Sequence, residues 1–457
     1  MFLKYLLLVA VAVNNAVAQS EPKSVFAHFI VGNAASMTLE QWKSDINEAK
    51  NAHIDGFALN IATQDTYTDA VLERAYDAAE AVGNFSMFLS FDYLSGGPWP
   101  APRVIRTINK YKDKPAQFYY KGGPLVSTFE GVHNILDWPI IKAATGCSVF
   151  PTWTSLGPQG IATVLDIIDG AFSWDAWPVG AQDKNTESDK AWMQALGNKT
   201  YMMPVAPWFY TNLPQLGKNW LWRGDDLWHE RWQQVIELQP ALVQIISWND
   251  YGESHYIGPI YEEGIPNGSA KYVLNQPHDA WRSLLPYYID AYKSGNVTTA
   301  IEPSDVADPP GSNLKLATAP DLEDKITYWY RVNPSTAGSA GGTTGNNPAM
   351  GQPVLDPGLV SQDKVFVTVL VREPSDVAVQ IGEAEPTFLL ADTPGINHFS
   401  VPFGNRTGPV TISVFRDCEA IVTCTGPEIT ETCVDGDINW NAFVGSSDGQ
   451  EDAERGA

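Results

Sequence analysis

The stretch "ALVQIISWNDYGESHY", residues 241–256, decides the fold. Its apolar run from Leu242 to Ile246 is short and rich in β-branched residues, as in a strand buried on both faces of a parallel sheet. The run finishes in two acids three positions apart, Asp250 and Glu253, with Trp248 and Asn249 ahead of them and Gly252 between. Charge set against an apolar run is costly unless it has a partner or a use. The basic residues nearby in sequence are few, so a structural ion pair is the weaker explanation. Acids at a strand end suit a sheet whose working groups collect on the rim formed by the strand C-termini.

Seven further runs of the same kind precede it: 25–32, 56–62, 85–92, 123–131, 147–153, 170–177 and 200–210. Helical patterns fall between them. "TLEQWKSDINEAKNAHI" places Leu39, Trp42, Ile46 and Ala49 on one face, with Thr38 and Gln41 spaced as a capping box. "DAVLERAYDAAEAVG" repeats the pattern and stops at Gly83. "DDLWHERWQQVIELQP" opens on acids and is cut by Pro240. Further helices are predicted over 101–113, 134–145, 159–168, 187–197 and 278–294. Eight βα units in this span predict an α/β fold, a (β/α)8 TIM barrel. An open doubly wound sheet would want a Gly-rich phosphate turn after its first strand, and "VGNAASM" is not one.

Beyond Val297 the character changes. A Pro-rich segment leads into strand patterns at 325–332, 364–373, 377–382, 386–392, 397–403 and 409–417, which predict a C-terminal antiparallel β-sandwich. The expected division is a signal peptide over 1–18, the barrel over 19–298, the sandwich over 299–445 and a disordered tail over 446–457. The interval 334–353, rich in Gly, Ser, Thr and Asn, reads as a mobile loop.

The 457 residues carry a formal net charge of -24, which argues against nucleic acid or an anionic membrane surface as partner. "MFLKYLLLVAVAVNNAVAQS" has the basic start, short apolar core and Ala16-Val17-Ala18 cleavage pattern of an export signal, too short to anchor in a bilayer. Secretion is therefore expected. N-glycosylation sequons at Asn84, Asn198, Asn267, Asn296 and Asn405 agree with it. Of the four cysteines, Cys418, Cys424 and Cys433 crowd the C-terminal end and Cys147 is far upstream, which suggests one local disulfide. No metal or organic cofactor is implied, and a monomer is expected.

The strand ends supply the candidate site: His28, Asn60, Asp92 with Tyr93, Glu130, Trp153, Trp174 with Asp175, Trp208, and finally Trp248, Asn249, Asp250, Glu253 and His255. Carboxylates interleaved with indoles suit a sugar, because indole faces stack on pyranose C–H faces while carboxylates, amides and imidazole bind hydroxyls or move protons. The chain has 16 tryptophans to draw on. Each residue also has a plainer explanation: a lone acid caps a helix, a strand histidine sits bonded in the core, and a tryptophan packs. Asp250 and Glu253 are the hardest to explain that way.

The strings "VFAHFIVGN", "DGFALNI", "FLSFDY", "VSTFEG" and above all "SWNDYGESHYIGP" resemble glycoside hydrolase family 71, the fungal endo-α-1,3-glucanases or mutanases. The resemblance implies a barrel followed by a β-sandwich, acting on α-1,3-glucan with inversion. It places the catalytic acids on Asp250 and Glu253, with a third important aspartate at Asp92. Glu253 is expected as general acid, Asp250 as general base, and Asp92 as orienting water or a hydroxyl or sharing the base role. Spacing alone leaves the stereochemistry open, since three positions span ~10 Å along a strand but ~5–6 Å on a helical turn. A glycan-binding barrel without catalysis and a hydrolase of another linkage are the alternatives.

Overall fold

A computed structural model of the chain describes residues 23–295 and 323–448. The expected export signal, the Pro-rich linker, Asn296 and most of the C-terminal tail lie outside the described residues.

The eight runs all form strands: β1 (Ser24–Ile30), β2 (Gly56–Ala62), β3 (Ser86–Asp92), β4 (Gly123–Phe129), β5 (Ser148–Thr152), β6 (Gly170–Phe172), β7 (Thr200–Val205) and β8 (Leu242–Ile245). Hydrogen-bonded neighbours follow the order β5-β4-β3-β2-β1-β8-β7-β6, every pair parallel. The sheet curls on itself. Its two end strands meet through a backbone bond from Asp169 N to Val149 O of 3.0 Å, and the Asp169 carboxylate accepts from Val149 N at 2.9 Å.

Strand alternation sorts the side chains. Phe26, Ala58, Phe88, Leu125, Phe150, Phe172, Met202 and Leu242, one from each strand, form a single cluster inside the curl. Their neighbours Val25, Ala27, Phe57, Leu89, Val126, Val149, Met203 and Val243 belong to the outer core beneath the helices. Two residues further along, the inward positions turn polar: His28, Asn60, Ser90, Ser127, Thr152 and Gln244, all buried. Period two thus carries six of the eight strands from an apolar plug to a polar rim.

The helix Leu39–Asn51 has the expected capping box, with Gln41 N donating to Thr38 Oγ1 and Thr38 N to Gln41 Oε1, and it buries Trp42, Ile46 and Ala49. The helix Thr68–Val82 ends at Gly83, whose φ of 71° needs no side chain. The helix expected over 159–168 is cut to Gly157–Ile161. The β-branched Thr163, Val164, Ile167 and Ile168, which lose side-chain freedom in a helix, follow it as turns.

The C-terminal half packs two four-stranded antiparallel sheets. One orders Gly395–Pro402, Lys364–Val371, Lys325–Tyr330 and Phe443–Ser446; the other orders Thr387–Ala391, Ser375–Ile381, Gly408–Arg416 and Glu419–Ile429. Val365, Val367, Val377, Val379, Ile412 and Val414 fill the space between them. The last strand of each sheet has no counterpart in the sequence-based expectation.

Two expectations fail here. The local disulfide does not form, and all four cysteines are free. The ladder sets Cys424 opposite Ile412 in the sandwich core, while Cys418 sits exposed in the turn before that strand. The interval 334–353 is not a loose loop either. Thr344–Gly345 pairs in parallel with Lys218–Leu221, a strand of a hairpin between β7 and β8 whose other arm is Tyr210–Leu213. The halves are further joined by Trp329 Nε1 to Asp225 O at 2.7 Å and by Trp208 Nε1 to Trp440 O at 3.0 Å.

Candidate active site

Past Ile245 the chain leaves the sheet and folds the acid pair into one short turn. Asp250 caps the single turn Tyr251–Glu253, its Oδ1 accepting from Glu253 N at 3.1 Å, while Asp250 N donates to Ser247 Oγ at 2.9 Å. His255 returns beneath them. Its Nε2 lies 3.1 Å from Glu253 Oε2 and 3.8 Å from Asp250 Oδ2, and its Nδ1 is 2.9 Å from Ser247 Oγ. The two carboxylate side chains remain 19% and 16% exposed, so solvent reaches them, whereas His255 is fully buried.

The residue that sequence missed is Lys218. It lies on the hairpin and brings Nζ to 2.8 Å from Glu253 Oε1. A lone lysine in "GKNW" gave no signal, because only the fold brings it to a loop some thirty-five positions away. Lys218 also feels the charges of Asp250 and Asp92, and chiefly the Glu253 charge holds its ammonium above the ordinary lysine range. Burial works to raise Glu253, but Lys218 and His255 outweigh it and keep this carboxyl below the usual range. Burial pushes Asp250 up, and the neighbouring Glu253 charge adds to this against the opposing pull of His255 and Lys218. Glu253 therefore gives up its proton more readily than Asp250.

Asp92, at the end of β3, is raised by burial and opposed by hydrogen bonds from Ser95 N and Leu94 N, each 2.8 Å to Oδ1, and from the Asn60 amide. His28 is buried inside the curl, and burial and nearby His255 push its imidazole down to about 3. Gln244 Nε2 meets its Nδ1 at 2.9 Å, and His28 Nε2 has no partner among the described residues. A neutral ring with Nδ1 so engaged keeps its proton on Nε2, a spare donor at the floor of the site.

A groove of about 690 Å³ opens beside the acid pair. Tyr93, Glu130, Trp174 and Asp175 from the expected set line it, as do Trp177, Trp222, Met350 and Gln352. Asp250 and Glu253 are not on its lining. Trp174 makes the connection, its ring 4.9 Å from His28 and 6.1 Å from His255. Within the wall, Glu130 accepts from Ser155 N at 3.0 Å and from the Ser155 hydroxyl, tying two loops together. Asp175 is paired with Lys184 at 2.8 Å and bonded by the Ser188 hydroxyl. Burial raises it, but the Lys184 charge wins and holds it low.

Four expected ligand contacts belong to packing instead. Trp153 and Trp248 are wholly buried in the outer core. Trp248 Nε1 donates to Asp45 Oδ2 at 2.8 Å, a bond made on the helix side of the sheet. Trp208 is 2% exposed and spends its N–H on Trp440 O. Asn249 splices the chain to β1, accepting from Ile30 N at 2.7 Å and donating to Ile30 O at 3.0 Å. The amide oxygen and one amide hydrogen are engaged there. His255 is in the site but faces the carboxylates from behind. The sequon residues Asn84, Asn198, Asn267 and Asn405 are exposed.

Asp250, Glu253 and His255 each offer one ligand atom within 4.8 Å of the others, enough to hold a cation. The Lys218 ammonium already supplies positive charge at Glu253. What the arrangement can do without further help is hold one proton and one negative charge side by side, next to a groove walled by indoles.

The model of glycosyl hydrolase family 71 matches residues 21–455. The chain belongs to this family. A mutanase of Penicillium rubens is 36% identical over 446 residues, covering 94% of this chain and 90% of the relative. The glucan endo-1,3-alpha-glucosidase agn1 of Schizosaccharomyces pombe is 36% identical over 440 residues, covering 93% and 94%. Among solved structures, a GH99 endo-alpha-mannosidase of Bacteroides thetaiotaomicron aligns over 60% of this chain and 98% of its own, with 15% identity and a TM-score of 0.45.

Proposed function

We propose that this family 71 hydrolase cleaves α-1,3-glucosidic bonds in α-1,3-glucan. One observation carries the reading: Asp250 and Glu253 converge at the rim of the curled sheet, beside an indole-walled groove, with the proton held more firmly by Asp250 than by Glu253. The substrate follows from the mutanase and glucan endo-1,3-alpha-glucosidase among the relatives. The curled sheet is then a (β/α)8 barrel closed at β5 and β6. The Asp169–Val149 bonds and the inner cluster drawn from all eight strands support that closure.

In this mechanism Asp250 holds the proton and gives it to the glycosidic oxygen as the C1–O bond breaks, while Glu253 stays anionic against the developing positive charge. This reverses the roles expected from sequence, because Lys218 and His255 fix the charge on Glu253. Water completes the reaction at C1 and loses its proton to a carboxylate. For inversion that base is Asp92, the third acid whose charge reaches Lys218, because Asp250 and Glu253 stand too close for the ~6.5–9.5 Å inverting gap. One oxygen of each lies within 4.8 Å of the other, which favours a second reading, retention through the pair itself, for which a carboxyl separation of ~5–5.5 Å is usual. The export pattern at the N-terminus and the exposed sequons support action outside the cell.

The test is incubation with insoluble α-1,3-glucan, with α-1,4- and β-1,3-glucans as controls, following the first product by NMR. Reducing sugar from α-1,3-glucan alone is expected. A β-anomer first supports inversion and an α-anomer retention, while binding without release would overturn the hydrolase reading.

A further inference from the structure

The groove wall farthest along the chain comes from the C-terminal half. Gly341–Gln352 leaves the sandwich and is stitched onto the first half by bonds that only this fold provides. Asn219 Nδ2 donates to Gly341 O at 2.9 Å, Thr343 Oγ1 to Asn219 Oδ1 at 2.8 Å, and Asn346 N to Leu221 O at 2.8 Å. Gly180 N donates to Asn346 Oδ1 at 2.7 Å. The segment is thereby fixed on both the Lys218 hairpin and the loop after Trp177.

Its end enters the groove. Gln352 Oε1 accepts from Trp222 Nε1 at 2.8 Å and from Asn347 N at 2.9 Å, which uses both lone pairs of the amide oxygen. The amide nitrogen, with two hydrogens, takes no partner among the described residues. Trp222 in turn stacks on Trp177, centroids 5.3 Å apart at 24°. Around this point the rim is apolar and open: Met350 is 62% exposed, Val179 41% and Leu94 65%. An anchored amide donor among exposed aliphatic groups matches a pyranose, which offers hydroxyl acceptors at its edge and C–H groups on its faces.

We propose that Gln352 and Met350 form a sugar subsite built across the two halves, holding a glucose unit of the glucan chain away from the bond that is cut. This rests on the α-1,3-glucanase reading. The sandwich half is then a working wall of the groove. Gln352 donates one neutral hydrogen bond to a hydroxyl and Met350 covers the ring face, so both act on binding and on where the chain is cut.

The experiment uses full-length Gln352→Ala and Met350→Ala with α-1,3-linked oligoglucosides of graded length. Met350→Ala makes no hydrogen-bond change inside the protein, which separates loss of contact from loss of fold. Each variant is expected to raise KM for the longer oligoglucosides by roughly five- to tenfold, the size of one neutral contact. The shortest cleaved substrate should lose far less, and the product lengths should shift. Wild-type KM and product pattern in both variants would overturn the subsite. Failure of the wild-type chain to cleave any α-1,3-oligoglucoside would overturn the activity reading instead.

Discussion

Two loops from distant parts of the chain hold themselves in place by different means. Ser247–Tyr256 does it locally: Asp250, Glu253, His255 and Ser247 bond one another within ten positions. Gly341–Gln352 does it at long range, through partners about 120 to 166 positions away. In the proposed mechanism the first loop carries the chemistry, and its contacts are mostly its own. The second carries a wall and exists only because the sandwich packs where it does. Lys218 belongs to the hairpin between them, and its ammonium is where the long-range region sets the charge of the local one.

The hardest blow to this contrast is to the local loop. Asp250→Asn and Glu253→Gln should each lower glucan hydrolysis by about 10²–10⁴-fold, the usual worth of a positioned proton carrier, with melting close to wild type. Activity retained in either variant would move the chemistry elsewhere.

Next comes the link itself. Lys218→Met should cost on the order of tenfold in kcat by leaving Glu253 without its cation. With Lys218 gone, the Glu253 pKa rises, so more of it is protonated at a given acid pH. The acid limb of kcat/KM must therefore move toward neutral pH, and Lys218→Arg should move it back. A profile that only scales down, without moving, would reduce Lys218 to a packing role.

A smaller effect concerns stability. His28 sits under the local loop, and His278 bridges the halves between Tyr256 O and Ala442 O at 3.1 and 3.0 Å. Burial pushes both imidazoles down to about 3, from 6.5. Between those values the unfolded chain binds the proton and the folded chain does not. Each histidine therefore withdraws about 1.4 kcal/mol of stability per pH unit as pH falls below ~6.5. The depressed Glu253 adds to the loss below the ordinary carboxylate range. Burial raises Asp45 and Asp225 to about 7 and Glu230 to about 8, which opposes this loss over the same range. The histidine effect is therefore read as a difference in urea unfolding at stepped pH: His28→Gln should gain stability relative to wild type as pH falls below ~6.5.

The mildest change is Trp208→Phe. It removes the indole bond to Trp440 O and should cost about 1–3 kcal/mol in urea unfolding while kcat holds within about twofold. A large drop in kcat would make Trp208 part of the sugar site after all.

The strands were legible because alternation and apolar runs are local. β2 occupies the expected residues 56–62, and each of the other seven begins within one position of its expected start. Their ends were not, as Gly170–Phe172 shows: "SWDAW" continues the apolar pattern but turns away to pair Asp175 with Lys184. Among site residues, Asp250, Glu253, Asp92, His28 and Trp174 stood out as polar or aromatic groups closing apolar strands. Trp153, Trp208 and Trp248 closed strands too, yet they face the helices, the other half or the outer core. Type and position in the chain cannot separate those cases, since one residue of shift changes the face.

The sequence by itself determined the strands and the carboxyl pair, because apolar runs and residue type act over a few positions. Tertiary structure decided which carboxyl keeps the charge and which half supplies the far wall. Coulomb and hydrogen-bond energies are set by neighbours about 3 Å away, and here those neighbours, Lys218 for Glu253 and Gln352 for Trp222, arrive from remote stretches of chain.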